Sequence, residues 1–191
     1  MPLTSLPNLL TVSRILAIPV VIGSFYVSGD YARWFACALF SGAALTDWLD
    51  GHMARRWQQQ SEIGRFLDPI ADKLLVAAAL LMLVNNGQLR GVHVLAALII
   101  LAREILVSGL REFLAELRVG LPVSQLAKWK TGAQMVAIAV LLLGDAVPPI
   151  VTNIGLALIW IAAVLTLITG YDYLRTGLRH MAEDQPAGGA E

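Results

Sequence analysis

Apolar residues dominate six runs along the chain, at roughly 9–28, 32–49, 66–84, 92–110, 132–143 and 147–169. A helix crossing a bilayer needs about 20 residues at a rise of about 1.5 Å each. Several of the runs fall short unless the helix continues through charged residues at one end. The pattern therefore predicts six helices whose polar ends project on the same side. The breaks agree with this division: Ser28-Gly29-Asp30, Asn85-Asn86-Gly87, and Gly144-Asp145 followed by Pro148-Pro149 are turn chemistry. Six spans put both termini on one side. The expected architecture is an all-α polytopic membrane protein with about six transmembrane helices. Residues 1–181 are read as one membrane domain, and 182–191, small, polar and Gly/Pro-containing, as a loose tail.

Composition strengthens the membrane reading. Of 191 residues, 57% are apolar and the mean hydropathy is +0.68, against about 45–50% apolar for an ordinary soluble domain. Lys and Arg total 14 and so do Asp and Glu, which gives no basic surface for nucleic acid. Cys37 is alone, so no internal disulfide is possible. No basic n-region or A-x-A site marks a removable signal peptide. Positive charge then sets the orientation. Of the 14 basic residues, only Arg33 and Arg90 fall on the side opposite the 47–72 stretch and the termini. That asymmetry places the stretch and both termini in the cytoplasm, and some of the other basic residues also suit intramembrane roles.

Asp47 to Asp72 is where chemistry concentrates. If both flanks are helical, Asp47 and Asp50 (i,i+3) share one helix face, and Asp68 and Asp72 (i,i+4) share another. Four converging carboxylates near a membrane repel one another unless cations or protons neutralise them. Hard divalent ions such as Mg²⁺ or Mn²⁺ suit oxygen ligands of this kind; solvated helix ends at a membrane surface are the plainer alternative. The intervening residues narrow the choice. The stretch reads D-x2-D-G-x2-A-R-x8-G-x3-D-x3-D, with Gly51, Ala54, Arg55 and Gly64 at the fixed places. This resembles the signature of the CDP-alcohol phosphatidyltransferase family, with every position filled.

The resemblance implies an integral membrane enzyme with a divalent metal centre, two Mg²⁺ or Mn²⁺ ions, that moves a phosphatidyl group from a CDP-linked lipid to an alcohol and releases CMP. It implies metal ligation by Asp47, Asp50, Asp68 and Asp72, with Asp72 also the general base for the acceptor hydroxyl. It further implies a homodimer among the lipids of a bacterial inner membrane. For the donor, CDP-diacylglycerol, the candidates are Asn8, Thr11, Arg14, Gly51, Ala54, Arg55, Ser61 and Gly64. Asn8, Thr11 and Arg14 open the first helix, where an anion is readily received, although Arg14 also suits snorkelling. Gly51 and Ala54 leave room for a nucleotide, or for close helix packing. Arg55 suits a diphosphate. Ser61 is a candidate N-cap of the third helix, with Pro69 expected in that helix's first turns.

Arg103-Glu104 interrupts an apolar run, and ionisable groups at such depth usually face a partner or a wet cavity. Glu104, Arg111 and Arg118, each seven apart, form one stripe. A Glu104–Arg111 pair would explain part of it; a basic pocket for a charged acceptor explains more. Lys128 and Lys130, about 200° apart on an ideal helix, allow one to face that pocket and the other lipid phosphates. The segments R-E-I-L-V-S-G-L-R-E-F-L-A-E-L, L-A-K-W-K-T-G-A-Q-M-V-A-I and D-P-I-A-D-K-L-L-V-A resemble the branch of the family whose acceptor is sn-glycerol 3-phosphate. The resemblance thus assigns Arg103, Arg111, Arg118, Lys128 and Lys130 to the glycerol phosphate. Gly120 and Pro122 depart from a linker that is often more basic. Another acceptor, such as inositol phosphate or serine, and a membrane cation transporter are the competing readings.

Overall fold

The structure is a computed structural model describing residues 6–57, 62–116 and 125–183. Each apolar run becomes a helix: α1 (Leu6–Ser24), α2 (Asp30–Trp57), α3 (Glu62–Asn85), α4 (His93–Glu116), α5 (Gln125–Leu143) and α6 (Pro149–Glu183). A 3₁₀ turn at Gly144–Ala146 joins the last two, and the described residues include no strand. The helices do continue through their charged ends. α2 runs past Asp47 and Asp50 to Trp57, and α4 passes Arg103-Glu104 and ends at Glu116. α6 extends to Glu183, beyond the tail boundary expected after 181.

α3 begins at Glu62, where a cap at position 61 would start it, and Pro69 lies about two turns into the helix. The proline has no N–H for the carbonyl at position 65, a loss that costs about 3 kcal/mol in an ordinary helix interior. The turns, by contrast, obey local chemistry. Gly87 closes α3 at φ 76°, where its N–H donates to Val84 O at 3.1 Å and that of Leu89 to Leu83 O at 3.0 Å. At Gly144, φ is 53° and an added Cβ would lie 2.7 Å from Gln88 Nε2, so the turn after α5 rests directly on the turn after α3.

Short connections make successive helices antiparallel. α1 packs on α2 and α3, α5 on α2 and α6, and α6 on α4. These contacts trace a ring, α3–α1–α2–α5–α6–α4, which a slighter α3–α4 contact closes. The apolar core draws on Phe40, Leu80, Ile100, Ile138, Leu141 and Ile159, with Ile18 packed against it. Every one of these lies toward the end of its helix remote from the aspartates, so one half of the bundle is filled with hydrocarbon. The buried charged side chains, Arg14 and Lys130, lie in the other half. Outside, Leu16, Trp34, Leu81, Ile105, Ile161 and Leu167 are exposed, a surface suited to lipid. Among the described residues, His93–Ala115, Gln125–Ala146 and Pro149–Arg179 are long and apolar enough to cross a bilayer, and Thr11–Ser24 is a shorter apolar helix. This is a helical membrane protein.

Candidate active site

Two elements of the polar half meet through two pairs of side chains. Thr11 and Arg14 are three apart on α1, Asp68 and Asp72 four apart on α3, so each pair shares a face. The Thr11 hydroxyl donates to Asp68 Oδ1. One turn deeper, Arg14 Nη1 donates to Asp72 Oδ1 at 2.8 Å. The Arg14 side chain is 2% exposed and that of Asp72 35%. A guanidinium withdrawn this far needs a counter-charge, and Asp72 supplies one while remaining partly open. α1 is thereby pinned to α3 along the carboxylate face, and both carboxylates are oriented.

A second polar cluster joins α4, α5 and α6. Lys130 Nζ donates to Glu104 Oε1, and Glu104 Oε2 lies 3.8 Å from Arg103 Nη1. Arg103 donates through Nη2 to Thr169 Oγ1 at 3.1 Å and stands 5.8 Å from the centroid of the Tyr173 ring. Lys73, next to Asp72, donates to Ser108 Oγ and so bridges the slight α3–α4 contact. Glu104 therefore pairs with Lys130, not with Arg111. Of the two lysines opening α5, Lys130 points into the bundle and Lys128 outward; Arg111 is exposed as well.

Asn8 opens α1 and Gly64 lies in the first turn of α3, while Asp47, Asp50, Gly51, Ala54 and Arg55 occupy the last turns of α2. For these seven the description covers the helical backbone only. Ser61 and Arg118 fall outside the described residues. Among the described residues, no three His, Cys, Asp or Glu gather as metal ligands. Asp68 and Asp72 nonetheless fit a hard divalent ion: they are oxygen donors on one helix face, partly open and held in place by neighbours.

Lys73–Ser108, Thr169 and Tyr173, and two further buried polar residues, Gln134 and Thr166, are not among the candidates legible in the sequence. A signal was present. Lys130 and Gln134, four apart, and Thr166 and Thr169, three apart, each put two polar groups on one face of an otherwise apolar helix.

The family model for CDP-alcohol phosphatidyltransferase matches residues 4–168. Curated relatives match nearly the whole chain. A Rickettsia bellii protein named CDP-diacylglycerol–glycerol-3-phosphate 3-phosphatidyltransferase is 48% identical over 173 residues, covering 90% of this chain and 94% of its own. Proteins of the same name from Cereibacter sphaeroides and Pseudomonas fluorescens are 43% identical over 218 residues and 44% over 187. Those alignments cover 95% of this chain and 99% of the relative, and 94% and 93%, respectively.

Proposed function

The chain belongs to the CDP-alcohol phosphatidyltransferase family, and on that premise we propose that it transfers the phosphatidyl group of CDP-diacylglycerol to sn-glycerol 3-phosphate, giving phosphatidylglycerophosphate and CMP. The observation that carries the reading is the likeness, across nearly the full chain, to relatives named for that reaction. The geometry supports it, since a carboxylate face and a buried cationic cluster share one polar half of the bundle.

The acceptor hydroxyl oxygen forms a bond to the phosphatidyl phosphorus, the bond from that phosphorus to the CMP oxygen breaks, and CMP leaves with the electron pair. Asp72 takes the hydroxyl proton and passes it to water. Arg14 holds the carboxylate by Oδ1, which fixes the direction from which the base acts. Asp47, Asp50 and Asp68, with Asp72, are the residues that would hold divalent metal, on which the family in general depends. Two bound Mg²⁺ or Mn²⁺ ions would neutralise the donor diphosphate and the charge developing on CMP. Asn8, Thr11, Arg14, Gly51, Ala54, Arg55, Ser61 and Gly64 form the donor side of the site, and Thr11 and Arg14 serve it by orienting the α3 aspartates. Lys130 and Arg103, assisted by the exposed Arg111 and Lys128 and by Arg118, receive the acceptor phosphate.

The site faces the cytoplasm of a bacterial inner membrane, a placement supported by the skew of basic residues toward the motif end. The homodimer rests on the family resemblance. The test is CMP release by the purified protein from CDP-diacylglycerol, offering glycerol 3-phosphate, serine, inositol phosphate and glycerol in turn. Glycerol 3-phosphate should be turned over fastest, and activity should vanish in excess chelator and return with Mg²⁺ or Mn²⁺. Faster turnover of serine or inositol phosphate would reassign the acceptor, and full turnover in metal-free buffer would overturn the mechanism.

A further inference from the structure

Glu104 stands between two cations withdrawn from solvent. The Lys130 side chain is 3% exposed, that of Arg103 11% and that of Glu104 itself 21%. Among the described residues the cluster thus holds two positive charges and one negative, inside the polar half of a membrane bundle. Its hydrogen-bonding capacity is also incompletely used. Arg103 Nε, Gln134 Oε1 and Thr166 Oγ1 are buried without a hydrogen-bond partner. Gln134 lies one turn beyond Lys130 on α5, and Thr166 one turn before Gly170 on α6. Buried groups are normally satisfied, and a net positive charge beside the unused N–H of Arg103 is suited to receive an anion.

Resting on glycerol 3-phosphate as the acceptor, we propose that Glu104 is an exchangeable counter-charge: it occupies Lys130 and Arg103 in the resting protein, yields them to the acceptor's phosphomonoester, and reclaims them to expel the product. Charge balance carries the argument. A phosphomonoester bears almost two negative charges near neutral pH. It alone balances Lys130 and Arg103, whereas phosphate and Glu104 together leave the cluster one charge negative. The same oxygens accept from Arg103 Nε, the donor Glu104 leaves unused. The transfer occurs at the acceptor's hydroxyl, so the lipid product still carries the phosphomonoester. Without a competing carboxylate the product would stay bound to the same two cations. Glu104 is therefore a positioning residue, acting through Lys130 and Arg103 and not on the reacting phosphorus.

The consequence differs from that of a merely structural ion pair. Glu104→Gln removes the competitor while keeping the shape, so the acceptor should bind more tightly and the product should leave more slowly. The experiment is steady-state CMP release by the purified full-length protein in mixed micelles, varying glycerol 3-phosphate, with inorganic phosphate as competitive probe. Glu104→Gln should lower KM for glycerol 3-phosphate and the inhibition constant for inorganic phosphate by roughly tenfold each. It should also lower kcat, with KM for CDP-diacylglycerol unchanged. Glu104→Asp, which withdraws the carboxylate by one methylene but keeps its charge, should move KM the same way by a smaller factor and restore most of kcat. It carries the test if the glutamine variant does not fold. Unchanged or raised KM for glycerol 3-phosphate in the folded variants, beside a parent that turns it over normally, overturns the exchange. A parent that releases no CMP with glycerol 3-phosphate overturns the acceptor reading itself.

Discussion

Arg14 and Asp72 show how much of the site is written locally and how much is not. The aspartates are legible because i,i+3 and i,i+4 spacing fixes a shared face whatever the fold. Thr11 and Arg14 stand out as well, as polar residues opening an apolar helix. Their partners do not, because Asp68 and Asp72 lie 57 and 58 residues further along the chain. Periodicity carries no information about which helices become neighbours. The same holds for Lys128 and Lys130: the angle between them says that one faces inward, and only the packing of α5 against α6 and α2 decides that it is Lys130. The two aspartates of α3 should respond differently to substitution. On the proposed roles, Asp72→Asn removes the base while Arg14 can still bond the amide oxygen, so kcat should fall at least tenfold and the metal concentration needed should rise less than for Asp68→Asn. Asp68→Asn removes ligand charge and should raise the half-saturating Mg²⁺ concentration as well as lowering turnover. Metal titrations of steady-state CMP release separate the two, and equal turnover by Asp72→Asn and the parent would remove Asp72 from the base role.

At the scale of elements, α6 decides how closely the cationic cluster is drawn together. A Cβ added at Gly170 would lie 3.0 Å from Arg103 Cγ, which leaves no room for a larger residue while Arg103 reaches Thr169. The glycine thus lets α4 and α6 approach at the depth where Arg103 crosses between them. Gly170→Val should push Arg103 off Thr169, with an overpacking cost of about 1–3 kcal/mol. It should also raise KM for glycerol 3-phosphate by roughly tenfold through the loss of one charge-assisted contact. Thermal unfolding in micelles reads the first effect and acceptor kinetics the second; unaltered KM in a folded variant would detach Arg103 from the acceptor. Helix extents were legible from hydropathy plus the length a bilayer demands. The start of α3 was legible as well, since a candidate cap at Ser61 implies a helix from Glu62 with Pro69 in its early turns.

For the molecule as a whole, the division into a hydrocarbon-packed half and a polar half is what makes a reaction on a charged headgroup compatible with a membrane fold. Phe40, Leu80 and Ile138, all fully buried, close one end of the ring. At the other end, polar ties link α1 to α3, α3 to α4, and α4 to both α5 and α6. The sequence foretold this division through its skewed basic residues and one-sided polar helix ends, but not the ring order, which depends on contacts between distant segments. The central claim is that an acceptor hydroxyl, held by its phosphate in the polar half, attacks the phosphatidyl phosphorus directly. It is tested most directly by supplying glycerol 3-phosphate with ¹⁸O in its C1 hydroxyl and weighing the lipid product by mass spectrometry. The account predicts phosphatidylglycerophosphate that retains the label in its phosphodiester, formed in step with unlabelled CMP. CMP formed together with phosphatidic acid, or with a lipid lacking the label, would contradict it.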